Sequence, residues 1–272
     1  MDTHLDTLTT SDGTRITLER AGDGPAVVLI GGAFNDRSTV AGLAATLANR
    51  FSTITYDRRG RGASNDASGF DAGSSRAREI DDLAAVIAHV GGRASVFGHS
   101  SGAVLALETA AARPEAGVER LVVYEPTFVP DGTRPRPAAD LLDQIERLMH
   151  EGQRDDAVAR FQVEAVGLPR EMVEGMRAAP FWGFLVAQAG SLPYDIALFD
   201  PCMEVPVERL RSVRVPTLAI AGSQTFDWIK ASTQAVADAV PDARYLELEG
   251  QDHGVLNQPE ALRLVLEDEF LG

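Results

Sequence analysis

Residues Gly98-His99-Ser100-Ser101-Gly102 stand between an apolar run, Ala94-Ser95-Val96-Phe97, and a helical run from Ala103 to Ala112. That order predicts a strand, an abrupt turn and a helix, with a serine at the apex and a glycine on each flank. A Cβ at either glycine would collide with the neighbouring strand or helix, so the pattern requires a helix packed closely on a sheet. The turn pushes the Ser100 side chain out over the sheet edge and leaves unpaired N–H groups at the helix start. A serine hydroxyl is a poor nucleophile unless it is exposed, oriented and beside a base. Five residues can also be a glycine-rich βα turn with a capping serine, so the rest of the chain must supply the context.

The surrounding pattern is strands alternating with helices. Residues 5–9 and 14–20 alternate like two hairpin arms joined at Asp12-Gly13. Ala26-Val27-Val28-Leu29-Ile30 is apolar throughout, as a strand buried on both faces of a parallel sheet must be. A helix is predicted near 38–49, a strand from Ser52 to Tyr56 and a helix over 76–90. After the elbow, Leu121 to Tyr124 and Val215 to Gly222 read as buried strands. A helix near 228–239, a strand from Arg244 to Leu248 and a closing helix from Pro259 to Phe270 complete the chain. Such alternation implies an α/β fold, a mostly parallel sheet with helices on both faces.

The interval 127–210 breaks the alternation. It opens with Pro130, Pro135 and Pro137, then carries helical spacing at Leu141, Leu142, Ile145, Leu148 and Met149, and again at Ala157, Val158 and Phe161. It reads as an inserted helical lid, leaving 1–126 and 211–272 as the core. Its aromatic and apolar residues Phe181, Trp182 and Leu185, with Phe34 and Trp228 of the core, are the candidates for lining a pocket.

Composition narrows the classes. At 272 residues and 44% hydrophobic, the chain can bury a full core as one large domain with an insertion. The single cysteine, Cys202, leaves no disulfide framework or thiolate cluster, and the scattered histidines give no metal site. A net charge of −15 argues against nucleic acid or an anionic membrane as partner. Lys230 is the sole lysine, which removes most Schiff-base chemistry. No apolar run is long enough to cross a bilayer, and residues 1–6 lack the basic and apolar parts of a secretion signal, so a cytoplasmic protein is expected. Phosphate-cradle and dinucleotide patterns are missing, so no cofactor is expected.

Over essentially its whole length the chain resembles the α/β-hydrolase superfamily. The resemblance rests on the elbow Gly98 to Gly102, the glycine turn Gly31-Gly32, the loop Tyr56-Asp57-Arg58-Arg59-Gly60-Arg61-Gly62, and the late segment Gly250-Gln251-Asp252-His253-Gly254. Ser100 rather than aspartate at the apex argues against the epoxide-hydrolase and haloalkane-dehalogenase branches.

Of five histidines, His4 lies in the N-terminal tail, His89 in a framework helix and His150 at the end of a lid helix. His99 belongs to the elbow but faces the side opposite Ser100. His253 follows the last strand in a glycine-flanked loop, where it can reach Ser100 as base. The acid stays open between two residues. In most of the family it follows the seventh strand, and there Gly222-Ser223-Gln224-Thr225 offers Thr225 instead. Glu125, ending the strand before Pro126, resembles the acid of relatives that include certain lactone hydrolases; Asp227, which also suits a helix cap, is the other candidate.

The resemblance assigns one oxyanion donor to the N–H of Ser101 and the second to Ala33, or else to Phe34. Gly31 stands where the family usually has histidine, which puts the rigidity of this turn in question. Arg58, Arg59 and Arg61 are expected to anchor the loop to carboxylates rather than to bind an anionic substrate. The implied activity is hydrolysis of a small lipophilic ester or lactone, a small-molecule partner. A non-hydrolytic cyclase, lyase or perhydrolase on the same fold and a ligand-binding protein remain the alternatives.

Overall fold

The computed structural model describes residues 3–272; Met1 and Asp2, part of the stretch read above for a leader, lie outside them. Eight strands form one sheet among the described residues: β1 (Thr3–Thr9), β2 (Arg15–Ala21), β3 (Ala26–Ile30), β4 (Ser52–Tyr56), β5 (Ala94–His99), β6 (Val118–Tyr124), β7 (Thr217–Gly222) and β8 (Ala243–Leu248). Their order is β1-β2-β4-β3-β5-β6-β7-β8. Only β2 runs opposite to the other strands, antiparallel to β1 as the hairpin pattern predicts and to β4; the pairs from β4 to β8 are parallel.

Strand periodicity sorts the apolar residues onto two faces. Val28, Ile30, Val96, Leu121 and Val123 face helices α2 (Ser75–His89) and α3 (Ser101–Ala112). Val27, Leu29, Phe97, Val122 and Ile220 face α1 (Ala41–Leu47) and the closing helix α11 (Glu260–Leu271). Covered on both sides, β4, β5 and β7 are buried at every residue. The outer strand β1 is mostly exposed and reads as polar.

Between β6 and β7 the chain forms helices and, among the described residues, no strand. These are α4 (Leu141–His150), α5 (Arg154–Glu164), α6 (Arg170–Met176), α7 (Trp182–Ala187), α8 (Leu192–Ala197) and α9 (Val207–Leu210). Their apolar faces share a cluster with Phe34, Trp228 and Ile229 of the sheet domain, so this helical insertion sits on the loops at the carboxyl ends of the strands. The remaining helix, α10 (Asp227–Ala239), follows β7. No helix among the described residues is long and apolar enough to span a membrane.

Sheet register brings the carboxyl-end loops together. The chain leaves β3 for β4 on one side and returns to β5 on the other, which opens a crevice at the β3 and β5 ends. Ile30 pairs with Gly98 and His99 with Tyr124, so Gly32, Ser100 and Glu125 lie side by side just beyond the last rungs.

Candidate active site

Ser100 sits at φ 56° and ψ −122°, a left-handed conformation that a non-glycine residue adopts only when its surroundings enforce it. The enforcement is visible on both sides. Its N–H donates to the Tyr124 carbonyl at 2.9 Å, and its carbonyl accepts the first bonds of α3 from Ala103 and Val104. A Cβ on Gly98 would lie 2.6 Å from the Ala103 Cα, and one on Gly102 would lie 2.5 Å from the Gly31 carbonyl oxygen. Both glycines are therefore required by close approach of helix to sheet.

His253 and Glu125 meet across the sheet ends. The Nδ1 of His253 is 2.5 Å from Glu125 Oε2. Glu125 is fully buried, and it accepts two further bonds: from the Gly222 N–H to Oε1 at 2.8 Å and from the Thr225 hydroxyl to Oε2 at 3.1 Å. Thr225, at the position where the resemblance expects an acid, instead donates to the carboxylate of Glu125, the residue that follows β6. Asp227 opens α10 as an exposed first-turn residue, and the carboxylate on His253 is that of Glu125. His4 and His150 are exposed, and His89 pairs with Asp6 at 2.7 Å on the surface.

His99 takes a supporting part that its sequence position does not announce. Its ring lies 4.7 Å from that of His253 and stacks on Tyr124 at 5.8 Å. Its Nε2 donates to the His253 carbonyl at 2.9 Å, while Tyr124 donates its hydroxyl to the adjacent Asp252 carbonyl at 2.8 Å. Burial, reinforced by the neighbouring His253, drives the His99 pKa down to about 3, so the ring is neutral and its Nε2 hydrogen is fixed by that bond.

Gly32 follows β3 and lies against the elbow; a Cβ there would be 2.8 Å from that of Ser100. Phe34 is held at φ 60°, its N–H donating to the Ser191 hydroxyl at 3.2 Å. The Gly32 carbonyl accepts from Arg61 Nη1 at 3.0 Å. Arg58, Arg59 and Arg61 are each buried and paired with carboxylates: Arg58 with Glu79 and Asp195, Arg59 with Asp82, Asp12 and Asp66, Arg61 with Asp195.

A cavity of about 390 Å³ contains Ser100, Ser101, Ala33 and His253 on its floor. Its walls are largely apolar, from Phe34, Phe161, Ala165, Ile196, Phe226 and Trp228. Among the sequence candidates, Phe34 and Trp228 line it, whereas Phe181, Trp182 and Leu185 do not. Trp182 is buried inside the insertion, its Nε1 donating to Asp155 at 2.7 Å, and Phe181 is half exposed. Leu185 packs in the apolar cluster of the insertion away from the cavity. Helical spacing shows which face of α7 is apolar but not whether that face meets neighbouring helices or a void. Phe161, on the apolar face of α5, is one of the wall residues that the same pattern contained but did not single out. Arg134 braces this wall: its guanidinium lies 4.3 Å over the Trp228 ring and donates to the Glu164 and Ala165 carbonyls that end α5.

Comparison with known proteins agrees with this architecture. An alpha/beta hydrolase of Sphaerobacter thermophilus DSM 20745 superposes with a TM-score of 0.88 at 43% identity, covering 97% of this chain and 100% of that one. The enol-lactonase of Burkholderia xenovorans LB400 superposes with a TM-score of 0.72 at 18% identity, over 98% of this chain and 100% of that one, a likeness of fold alone. The uncharacterized hydrolase YraK of Bacillus subtilis (strain 168) is 30% identical over 138 residues, which is 50% of this chain and 50% of that protein. The sequence pattern of the alpha/beta hydrolase family matches residues 27–263. A match of that extent, on this sheet order, makes the chain a member of the alpha/beta hydrolase family.

Proposed function

We propose that the protein hydrolyses a carboxylic ester or lactone of a small lipophilic substrate through an acyl-enzyme on Ser100. The observation that carries this reading is the 2.5 Å bond from a fully buried Glu125 to His253, which lines a largely apolar cavity together with a serine at positive φ. A carboxylate on Nδ1 holds that proton in place and leaves the Nε2 lone pair for a hydroxyl. Ser100 Oγ adds to the substrate carbonyl carbon while His253 Nε2 takes its proton. The carbonyl π pair moves onto oxygen, and the N–H groups of Ser101 and Ala33 stabilise the resulting anion. Collapse breaks the bond to the alcohol, which leaves with the proton from His253. Water then adds to the acyl carbonyl with His253 as base, and a second collapse releases the acid and regenerates Ser100.

The helical insertion, residues 127–210, is read as a lid on this site, and its apolar lining favours an apolar acyl or alcohol part. Lactones are the first substrate class to screen, because the position of Glu125 directly after β6 resembles that of the acid in certain lactone hydrolases. The test is intact-mass analysis after exposure to a fluorophosphonate, on wild type and on Ser100→Ala. One adduct on the wild type that is missing from the variant is expected. Retention of activity on a natural substrate by Ser100→Ala would transfer the protein to the non-hydrolytic reading.

A further inference from the structure

Asp195 lies in α8 of the insertion and is almost completely buried. Its Oδ1 accepts three bonds, from the Ser101 hydroxyl at 2.6 Å, from Arg61 Nη2 at 2.9 Å and from Arg58 Nη1 at 3.0 Å. Burial pushes its carboxyl pKa up, but Arg61, Arg58 and Ser101 outweigh that and hold it below its ordinary value, so it is ionised. Arg61 bridges from this carboxylate to the Gly32 carbonyl. In a planar trans peptide the carbonyl of one residue and the N–H of the next point in opposite directions. Fixing the Gly32 oxygen on Arg61 therefore turns the Ala33 N–H away from Arg61, and Ala33 borders the cavity beside Ser100. The Phe34 N–H is already given to Ser191, also of the insertion, which leaves Ala33 as the free donor.

We propose that Arg61 and Asp195 are positioning residues for the oxyanion hole, and that the helical insertion completes this hole by docking Asp195 on Arg61 and Ser101. The inference rests on the hydrolase reading above. The Gly31-Gly32 turn thereby gains a side-chain tether, from an arginine that the insertion holds. A neighbouring pair separates positioning from plain anchoring. Arg59 with Asp82 is equally buried and doubly hydrogen bonded at 2.8 and 2.9 Å, yet touches neither donor segment.

The experiment compares Asp195→Asn and Arg61→Met with Asp82→Asn. Active-site titration gives the number of functional sites, so kcat is expressed per site for a p-nitrophenyl ester, and the inhibition constant of a trifluoromethyl ketone reports binding of a tetrahedral anion. Displaced oxyanion donors are expected to lower kcat about 10- to 100-fold and weaken the ketone in proportion, with KM within about threefold. Asp82→Asn is expected to lower the melting temperature with kcat per site unchanged. Ser101→Ala removes one of the three bonds to Asp195 and keeps the backbone donor, so it serves if the charge variants do not fold; a several-fold loss of kcat per site is expected. Unchanged kcat per site in the Asp195, Arg61 and Ser101 variants, or an equal loss in Asp82→Asn, overturns the proposal while the hydrolase reading stands. A wild type that neither takes the fluorophosphonate nor turns over esters removes both.

Discussion

The two halves of the site are held by different kinds of contact. On the acid–base side, Glu125 is tied by the sheet itself: its N–H donates to the Ile220 carbonyl of β7, and the Gly222 N–H donates to its carboxylate. The His253 loop lies directly on β7, close enough that a Cβ on Gly222 would be 2.2 Å from the Gln251 carbonyl oxygen. On the side proposed to hold the oxyanion, the glycine turn after β3 is tied by side chains, Arg61 and Ser191, and behind Arg61 stands Asp195, 134 residues on from it. Backbone ties in a buried sheet break only when the sheet does. Side-chain ties to the insertion hold only as long as its helices stay docked, so activity is expected to depend on the insertion through this half first.

That contrast can be broken most decisively at Glu125. Glu125→Gln should lower kcat about 10³- to 10⁴-fold on an ester substrate, because an amide neither selects the right tautomer nor stabilises the imidazolium. Asp227→Asn should stay within about twofold, being a surface change. Steady-state kinetics on the two variants decide the matter, and the reverse ranking would dissolve the acid–base half as described here.

A smaller effect is expected at Ser191. Ser191→Ala frees the Phe34 N–H and loosens the turn by one hydrogen bond, about 1 kcal/mol or roughly fivefold in kcat. A loss as large as that of Glu125→Gln would mean that the two halves are not held differently. The smallest effect concerns stability. The folded protein keeps His99 neutral down to about pH 3, whereas the unfolded chain protonates it below its ordinary pKa of 6.5. Unfolding therefore takes up a proton between those values, and the stability due to a neutral His99 is present above pH 6.5 and lost as pH falls. His99→Gln should be less stable at pH 7 but show a melting-temperature drop from pH 7 to pH 5 smaller than that of the wild type by a few degrees. Identical drops would take His99 out of the acid response.

The readable parts of the molecule are those governed by short-range rules. Apolar runs such as Val27 to Ile30 are strands because only a two-faced buried strand tolerates them, and the structure places β3 there, in the middle of the sheet. The elbow is legible because backbone crowding dictates glycine at 98 and 102. Boundaries moved by a residue or two, as at α2, where the helix spans Ser75–His89 against a predicted 76–90. The pocket was less legible. Phe181, Trp182 and Leu185 carry the apolar pattern of wall residues, but a helix face reads the same whether it meets another helix or a cavity.

The alternation of strands and helices, the tight turn at Ser100 and the short set of residues from which a site could be drawn are all legible in the chain alone. These follow from backbone sterics and hydrophobic period, which act over a few residues. It took the packed molecule to select Glu125 as the carboxylate on His253, to bring Arg61 to the Gly32 carbonyl and to set Asp195 of the insertion behind it. Those choices depend on strand order and on how helices dock, through contacts between residues 29 to 134 positions apart, and no local rule contains them.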